Sequence, residues 1–173
     1  SISDMEAILA VTSKLAAPFD LMTMLSEVVS AAKQVLKADR GSVWLYDAAA
    51  DELVLEIATG IAPVRVPAST GLAGACAHTR RIINVPDCYA DARFNREVDK
   101  ASGYRTRCML ALPLIDHKDR LVGVMQVLNK RSGEPFSEQD LRLLTTLAAQ
   151  AAVAIEAACR LGLDVLIEQA RRV

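Results

Sequence analysis

The chain has 173 residues, of which 52% are apolar and 24% charged, and its formal net charge is −1. That is enough apolar material for one domain with a substantial core, while near-neutral charge and only 4% aromatic residues leave no basic footprint for nucleic acid and few platforms for stacking bases. No apolar run reaches ~18 residues and no export signal precedes Ser1, so a soluble, cytoplasmic domain is expected.

The chain opens with a helical pattern. Ser3 and Glu6 are spaced as a capping box, and Ile8, Leu9, Val11, Thr12 and Leu15 continue the period until Ala16-Ala17-Pro18. A second amphipathic helix is predicted from about Phe19 to Leu36, with Leu21, Leu25, Val28, Ala32 and Val35 on one side. From Arg40 the period changes to two. Val43–Tyr46 and Leu53–Ile57 read as a hairpin, and Val64–Pro67 as a weaker edge strand. Thr70–Gly74 leads into a small helix over Ala75–Thr79, and Ile82–Val85 is a brief strand stopped by Pro86.

A polar excursion runs from Asp87 to Arg105, with a short helix near Asn95–Ser102. Two strongly apolar strands follow, Cys108–Ile115 and Leu121–Leu128. After a turn at Arg131–Pro135, a long helix opens at Ser137, with Leu144, Leu147, Ala151, Ile155 and Ala158 on one face. Strands in the middle and helices at both ends indicate an α+β arrangement. We expect a mostly antiparallel, roughly six-stranded sheet, with the N- and C-terminal helices on one face and a pocket under loops and short helices on the other. The expected organisation is an N-terminal linker helix over 1–18, a central domain over 19–159 and a helical extension over 160–173. The Ala-rich stripe of the last helix, including Ala148, Ala151 and Ala154, suits close helix contact, either on the domain's own sheet or in a homodimer.

Candidate chemistry is concentrated in the excursion. Gly71 and Gly74 flank a helix start, where backbone N–H groups can face an anion, although a plain turn uses the same residues. Gln126 stands inside an apolar strand, so its amide needs a partner: a ligand, a backbone group or water. Lys130 leaves that strand and Asp140 enters the following helix, where a carboxylate is favoured; the two can meet across the loop. Cys76, Cys88, Cys108 and Cys159 show no CxxC spacing and read as free thiols. His78 and His117 lack ligand-spaced partners, so no metal site or cofactor is assigned. No nucleophile, base and orienting group are recognisable together, and a non-enzymatic domain is expected.

Asn129-Lys130, then Phe136 and Asp140, together with Ile83–Ala90 and Gly103–Arg107, resemble the cyclic-nucleotide-binding GAF domains of phosphodiesterase regulatory regions and bacterial adenylyl cyclases. The resemblance spans about Val28 to Ala158. It departs at Leu141, where these domains usually carry Glu. It implies a nucleotide engulfed between sheet and excursion, touched by Ser42, Ala58, Thr59, Leu72, Ala73, Asn95, Asp99, Ser102, Thr106 and Gln126. Backbone amides near Leu72, Ala73 and Asn95 would hold the cyclic phosphate, Ser102 and Thr106 the ribose or base, and Ser42, Thr59 and Gln126 the purine.

Guanine-selective relatives commonly carry an aromatic and an Asp where Ala58 and Thr59 stand, and a Glu in place of Gln126. An amide or hydroxyl can both donate to adenine N1 and accept from its amino group, so cAMP is favoured over cGMP. The implied function is a sensory domain that signals through its terminal helices to a covalently linked output domain; separately, the Ala- and Arg-rich composition suggests a bacterial source. The alternatives are a dimerisation module with a vestigial pocket, a sensor of another small molecule, and a redox enzyme of the free methionine sulfoxide reductase type, whose nucleophilic cysteine pattern is missing here.

Overall fold

The structure is a computed structural model that describes residues 2–14, 20–58 and 64–160; for 9–14, 56–58 and 160 it describes the backbone only. The elements in chain order are α1 (Ile2–Lys14), α2 (Leu21–Leu36), β1 (Ala38–Asp47), β2 (Glu52–Ala58), β3 (Val64–Pro67), α3 (Gly71–Thr79), β4 (Ile83–Val85), a 3-10 turn (Cys88–Ala90), α4 (Arg96–Ser102), β5 (Met109–Ile115), β6 (Leu121–Lys130) and α5 (Glu138–Arg160). The six strands form one sheet in the order β3-β2-β1-β6-β5-β4, and every pairing is antiparallel. The expected α+β architecture is therefore observed, with β3 on an edge.

Several boundaries differ from the sequence reading for physical reasons. Helix α1 starts at Ile2, so Ser3 lies inside its first turn and does not cap it. Asp20 caps α2 instead, accepting the Thr23 N–H at 3.3 Å and the Thr23 hydroxyl at 2.7 Å. Strand β1 starts at Ala38 because pairing with β6, from Ala38 opposite Lys130 onward, extends it through residues that show no alternation. Helix α3 takes in Gly71 and Gly74 rather than starting after them. A Cβ at Gly74 would meet the Ser69 carbonyl carbon at 2.5 Å, so only glycine lets the helix lie against that chain.

The sheet separates two apolar layers. On one face, α2 and α5 bury Leu25, Val28, Leu36, Leu144, Leu147 and Ile155 against Val43, Leu45, Leu110, Leu112, Met125 and Val127. Each fully buried aliphatic side chain there contributes roughly 1.5–3 kcal/mol of transfer free energy. By length and composition α5 could cross a membrane, over Glu138–Cys159, but half of that stretch is buried within this fold. The other face carries α3, whose Leu72, Ala73, Cys76 and Ala77 pack on Ile83, Met109, Ala111 and Val124. Cys76, Cys88 and Cys108 are buried free thiols, and Cys159 is exposed.

Candidate functional site

The sheet face under α3 holds the group of residues best suited to a ligand. Antiparallel register places Ser42 directly opposite Gln126, Gln126 opposite Ala111, and Ser42 opposite Ala58. Directly paired residues project on the same side of a sheet, and Ala111 and Val124 belong to the layer under α3. Ser42 is 5% exposed and Gln126 8%, yet neither the Ser42 Oγ nor the Gln126 Oε1 has a protein hydrogen-bond partner. Orphaned buried polar atoms are uncommon and costly, at roughly 1–3 kcal/mol each. The two stand side by side among apolar neighbours, which makes this the part of the face with unused hydrogen-bonding capacity. The Ala58 backbone pairs with Ser42 in this row; nothing is described of its side chain, and Thr59 lies outside the described residues.

Leu72 and Ala73 occupy the first turn of α3, where the Thr70 side chain makes no capping bond. Gly71, at φ +66°, brings that turn beside Asn95: a Cβ on it would stand 3.5 Å from the Asn95 Cβ. Asn95 caps α4, its Oδ1 accepting the Glu97 N–H at 3.0 Å. The structure thus brings together the three positions expected to line a phosphate.

Asp99 and Thr106 are held by one another. The buried Asp99 carboxylate accepts from the Thr106 N–H at 2.7 Å, the Thr106 hydroxyl at 2.8 Å and the Tyr89 hydroxyl at 2.6 Å. Its Tyr89 bond is the main reason that phenol's pKa is raised. This carboxylate ties the end of the excursion to α4. Ser102 stands exposed at the last turn of α4, its Oγ accepting the Tyr104 N–H at 3.2 Å.

The four signature residues form a second, structural group. Asn129 adopts φ 56°, and its side chain is fully engaged: Oδ1 accepts the Arg107 and Cys108 N–H groups, while Nδ2 donates to the Arg105 carbonyl and the Tyr104 hydroxyl. Lys130 Nζ meets Asp140 Oδ2 at 2.7 Å, and the same oxygen accepts the Ser137 N–H at 2.8 Å. Ser137 Oγ accepts the Asp140 N–H at 3.1 Å, so a reciprocal cap closes the start of α5. Phe136 is buried, and its carbonyl accepts from Asn84. Leu141 is half-buried against the helical core, and the loop closes without the usual glutamate. These contacts connect the excursion, β6 and α5.

Four contributors were not singled out from the sequence. Trp44 stands two residues after Ser42 on the same face, and its Nε1 is also buried without a partner; the alternation of β1 was the available signal. Tyr89 and Tyr104 support guanidinium groups, Arg105 at 4.0 Å and Arg40 at 3.7 Å from the ring centroids. Buried Glu156 on α5 accepts from the His117 backbone N–H at 3.2 Å and pairs with its imidazole, a partner no sequence spacing reveals. A separate groove of about 660 Å³ lies on the helical side, between α5 and β5, with Arg80, Arg81 and Ile82 at its rim.

The GAF domain family profile matches residues 20–155. Among curated relatives, the dual 3',5'-cyclic-AMP and -GMP phosphodiesterase 11 of Drosophila melanogaster is 29% identical over 163 residues, covering 84% of this chain but 11% of the phosphodiesterase. The chain thus spans about a tenth of that relative's length. Among solved structures, the GAF domain of an Acinetobacter phosphoenolpyruvate-protein phosphotransferase superposes with a TM-score of 0.77 at 24% identity, covering 94% of this chain and 98% of that one. Free methionine-R-sulfoxide reductase from Neisseria meningitidis, in complex with its substrate, gives 0.75 at 22% identity, covering 91% and 90%. At these identities the structures speak for the fold alone.

Proposed function

The chain belongs to the GAF domain family, and from that premise we propose that the sheet face under α3 and α4 binds a cyclic purine nucleotide, cAMP in preference to cGMP. The observation that carries this reading is the register pair Ser42 and Gln126, two buried polar side chains with no protein partner for Ser42 Oγ and Gln126 Oε1. An amide can accept from the adenine amino group and donate to a ring nitrogen, whereas a carboxylate in its place would favour guanine. The first turn of α3, beside Asn95, offers backbone N–H groups and the positive end of a helix to the cyclic phosphate. The similarity to a phosphodiesterase named for both cAMP and cGMP supports a cyclic nucleotide as the ligand and does not choose between the two; the preference for cAMP rests on Gln126 and its neighbours.

Catalysis is no part of the reading. Burial pushes the Cys76 thiol up to about 12, and Cys88 likewise, which keeps both protonated and poorly nucleophilic. Occupancy instead shifts an equilibrium between open and closed excursion. The route out runs from Asp99 and Thr106 through Asn129 and the Lys130–Asp140 pair to α5. Exposed Ile2 and Met5 on α1 and Val153 on α5 support helix-mediated pairing of two copies and coupling to an output domain.

The test is thermal unfolding with excess cAMP, cGMP or AMP. Ligand at ~100 times its dissociation constant stabilises the folded state by about 2.7 kcal/mol, a rise of very roughly 5–11 °C at this size. A larger rise with cAMP than with cGMP is expected. A rise with cGMP alone reverses the purine assignment, and no rise with either removes the cyclic nucleotide.

A further inference from the structure

We propose that Trp44 is a third base-reading residue, its indole N–H donating to a ring nitrogen of the bound purine; the inference rests on the cyclic-nucleotide reading above. Four buried side-chain polar atoms lack a protein partner among the described residues. One, Arg65 Nε, belongs to a guanidinium whose other nitrogens meet Asp47 and Glu52. The remaining three, Ser42 Oγ, Trp44 Nε1 and Gln126 Oε1, stand on adjacent positions of two neighbouring strands.

The β1–β6 ladder is unbroken here, with Ser42 opposite Gln126, Val43 opposite Met125 and Trp44 opposite Val124. Ser42 and Trp44 therefore share a face about 7 Å apart along β1, with Gln126 diagonal to the indole and within reach of a large side chain. Trp44 packs with the layer beneath α3, the same layer as Val124. On its other side the β1–β2 register shifts between Val43 and Trp44, which pair with Ile57 and Leu55. The extra residue lies on β2, and an irregularity of this kind sharpens the local twist beside Trp44.

The three atoms impose a pattern on the ligand. An indole nitrogen only donates, an amide oxygen only accepts, and a hydroxyl does either. Adenine fits this set: its amino group, a donor, lies between two ring acceptors. Gln126 Oε1 takes one amino hydrogen while its amide nitrogen donates to the ring nitrogen beside it, Trp44 donates to the ring nitrogen on the other side, and the Ser42 hydroxyl accepts the second amino hydrogen. In the same pose guanine would set its carbonyl oxygen against Gln126 Oε1, acceptor against acceptor.

Trp44 is the sole tryptophan of the chain, so the uniformly nitrogen-15-labelled protein gives one indole N–H cross-peak. That peak is followed through a cAMP titration while calorimetry measures affinity for the native chain and for W44F. The expected result is a downfield shift that saturates with the calorimetric isotherm, and an affinity about 2- to 13-fold weaker for W44F. The 1-deaza or 7-deaza analogue of cAMP should carry a matching penalty that disappears in W44F. If cAMP binds while the indole peak stays put and W44F binds equally well, the role of Trp44 is overturned and the proposed function stands. A moving peak with both deaza penalties intact in W44F also overturns it, since the indole then only packs nearby. The spectral arm needs no variant to fold. If the native chain binds no cyclic nucleotide, the proposed function falls, and this inference with it.

Discussion

Asp99 offers a sharp separation of structural from ligand-contacting roles. Its carboxylate accepts three hydrogen bonds from Tyr89 and Thr106, two at Oδ2 and one at Oδ1. In D99A, the buried Thr106 N–H is orphaned at roughly 1–3 kcal/mol and the charge-assisted bonds are lost; the half-exposed Tyr89 hydroxyl can turn to water. The sum is roughly 3–5 kcal/mol, a fall in Tm of very roughly 6–20 °C for a chain of this size. D99N behaves differently. Its oxygen can occupy the Oδ2 position and keep both donors there, while its amide nitrogen at the Oδ1 position donates to the Thr106 hydroxyl, which reverses its role. Only charge assistance is lost, roughly 1–2 kcal/mol. Urea unfolding of the two variants and the native chain measures the difference. If D99N is as destabilised as D99A, the assignment of donors and acceptors around Asp99 is wrong. If D99N folds normally but loses cyclic-nucleotide affinity tenfold or more, the carboxylate contacts ligand directly.

Three further outcomes test other parts of the structure. D140A leaves the Lys130 ammonium, mostly buried, without its carboxylate, and should cost roughly 2–4 kcal/mol in denaturant unfolding; adding K130M should recover part of that loss, and simple additivity of the two would show that the pair is not coupled. G74A forces a methyl against the Ser69 backbone, where a Cβ would lie 2.5 Å from the carbonyl carbon, and should cost about 1–3 kcal/mol; an unchanged Tm would show that α3 can move away freely. In native-state alkylation at pH 8, exposed Cys159 should react first. At pKa values of about 12, Cys76 and Cys88 carry roughly a thousandfold less thiolate than a thiol at 9.0, and their modification at the rate of Cys159 would contradict their burial.

How far the sequence reaches can be seen element by element. Periodicity predicts α2, the paired apolar strands and α5, because burying one face of an element leaves its period in the residues. The Lys130–Asp140 contact was legible for a similar reason, since a short loop brings the two ends together and few geometries remain. Where glycine weakens the helical signal, as at Gly71 and Gly74, the sequence pattern starts α3 four residues late, because the close approach of Ser69 rewards the missing side chain.

Long-range register is the part that no local pattern encodes. Sequence context singles out Gln126 and the family resemblance singles out Ser42, but only the pairing of β1 with β6 sets them side by side and leaves both polar atoms unmet. The same pairing adds Trp44 to the row. Asp99 and Thr106 resemble nucleotide-contacting positions by sequence, and in the fold each is the other's hydrogen-bond partner. Residue types and their local period determined the architecture and the family signature. Which polar groups satisfy one another, and which are left unmet, was decided by tertiary structure, because hydrogen bonds depend on distance and direction between strands far apart in the chain.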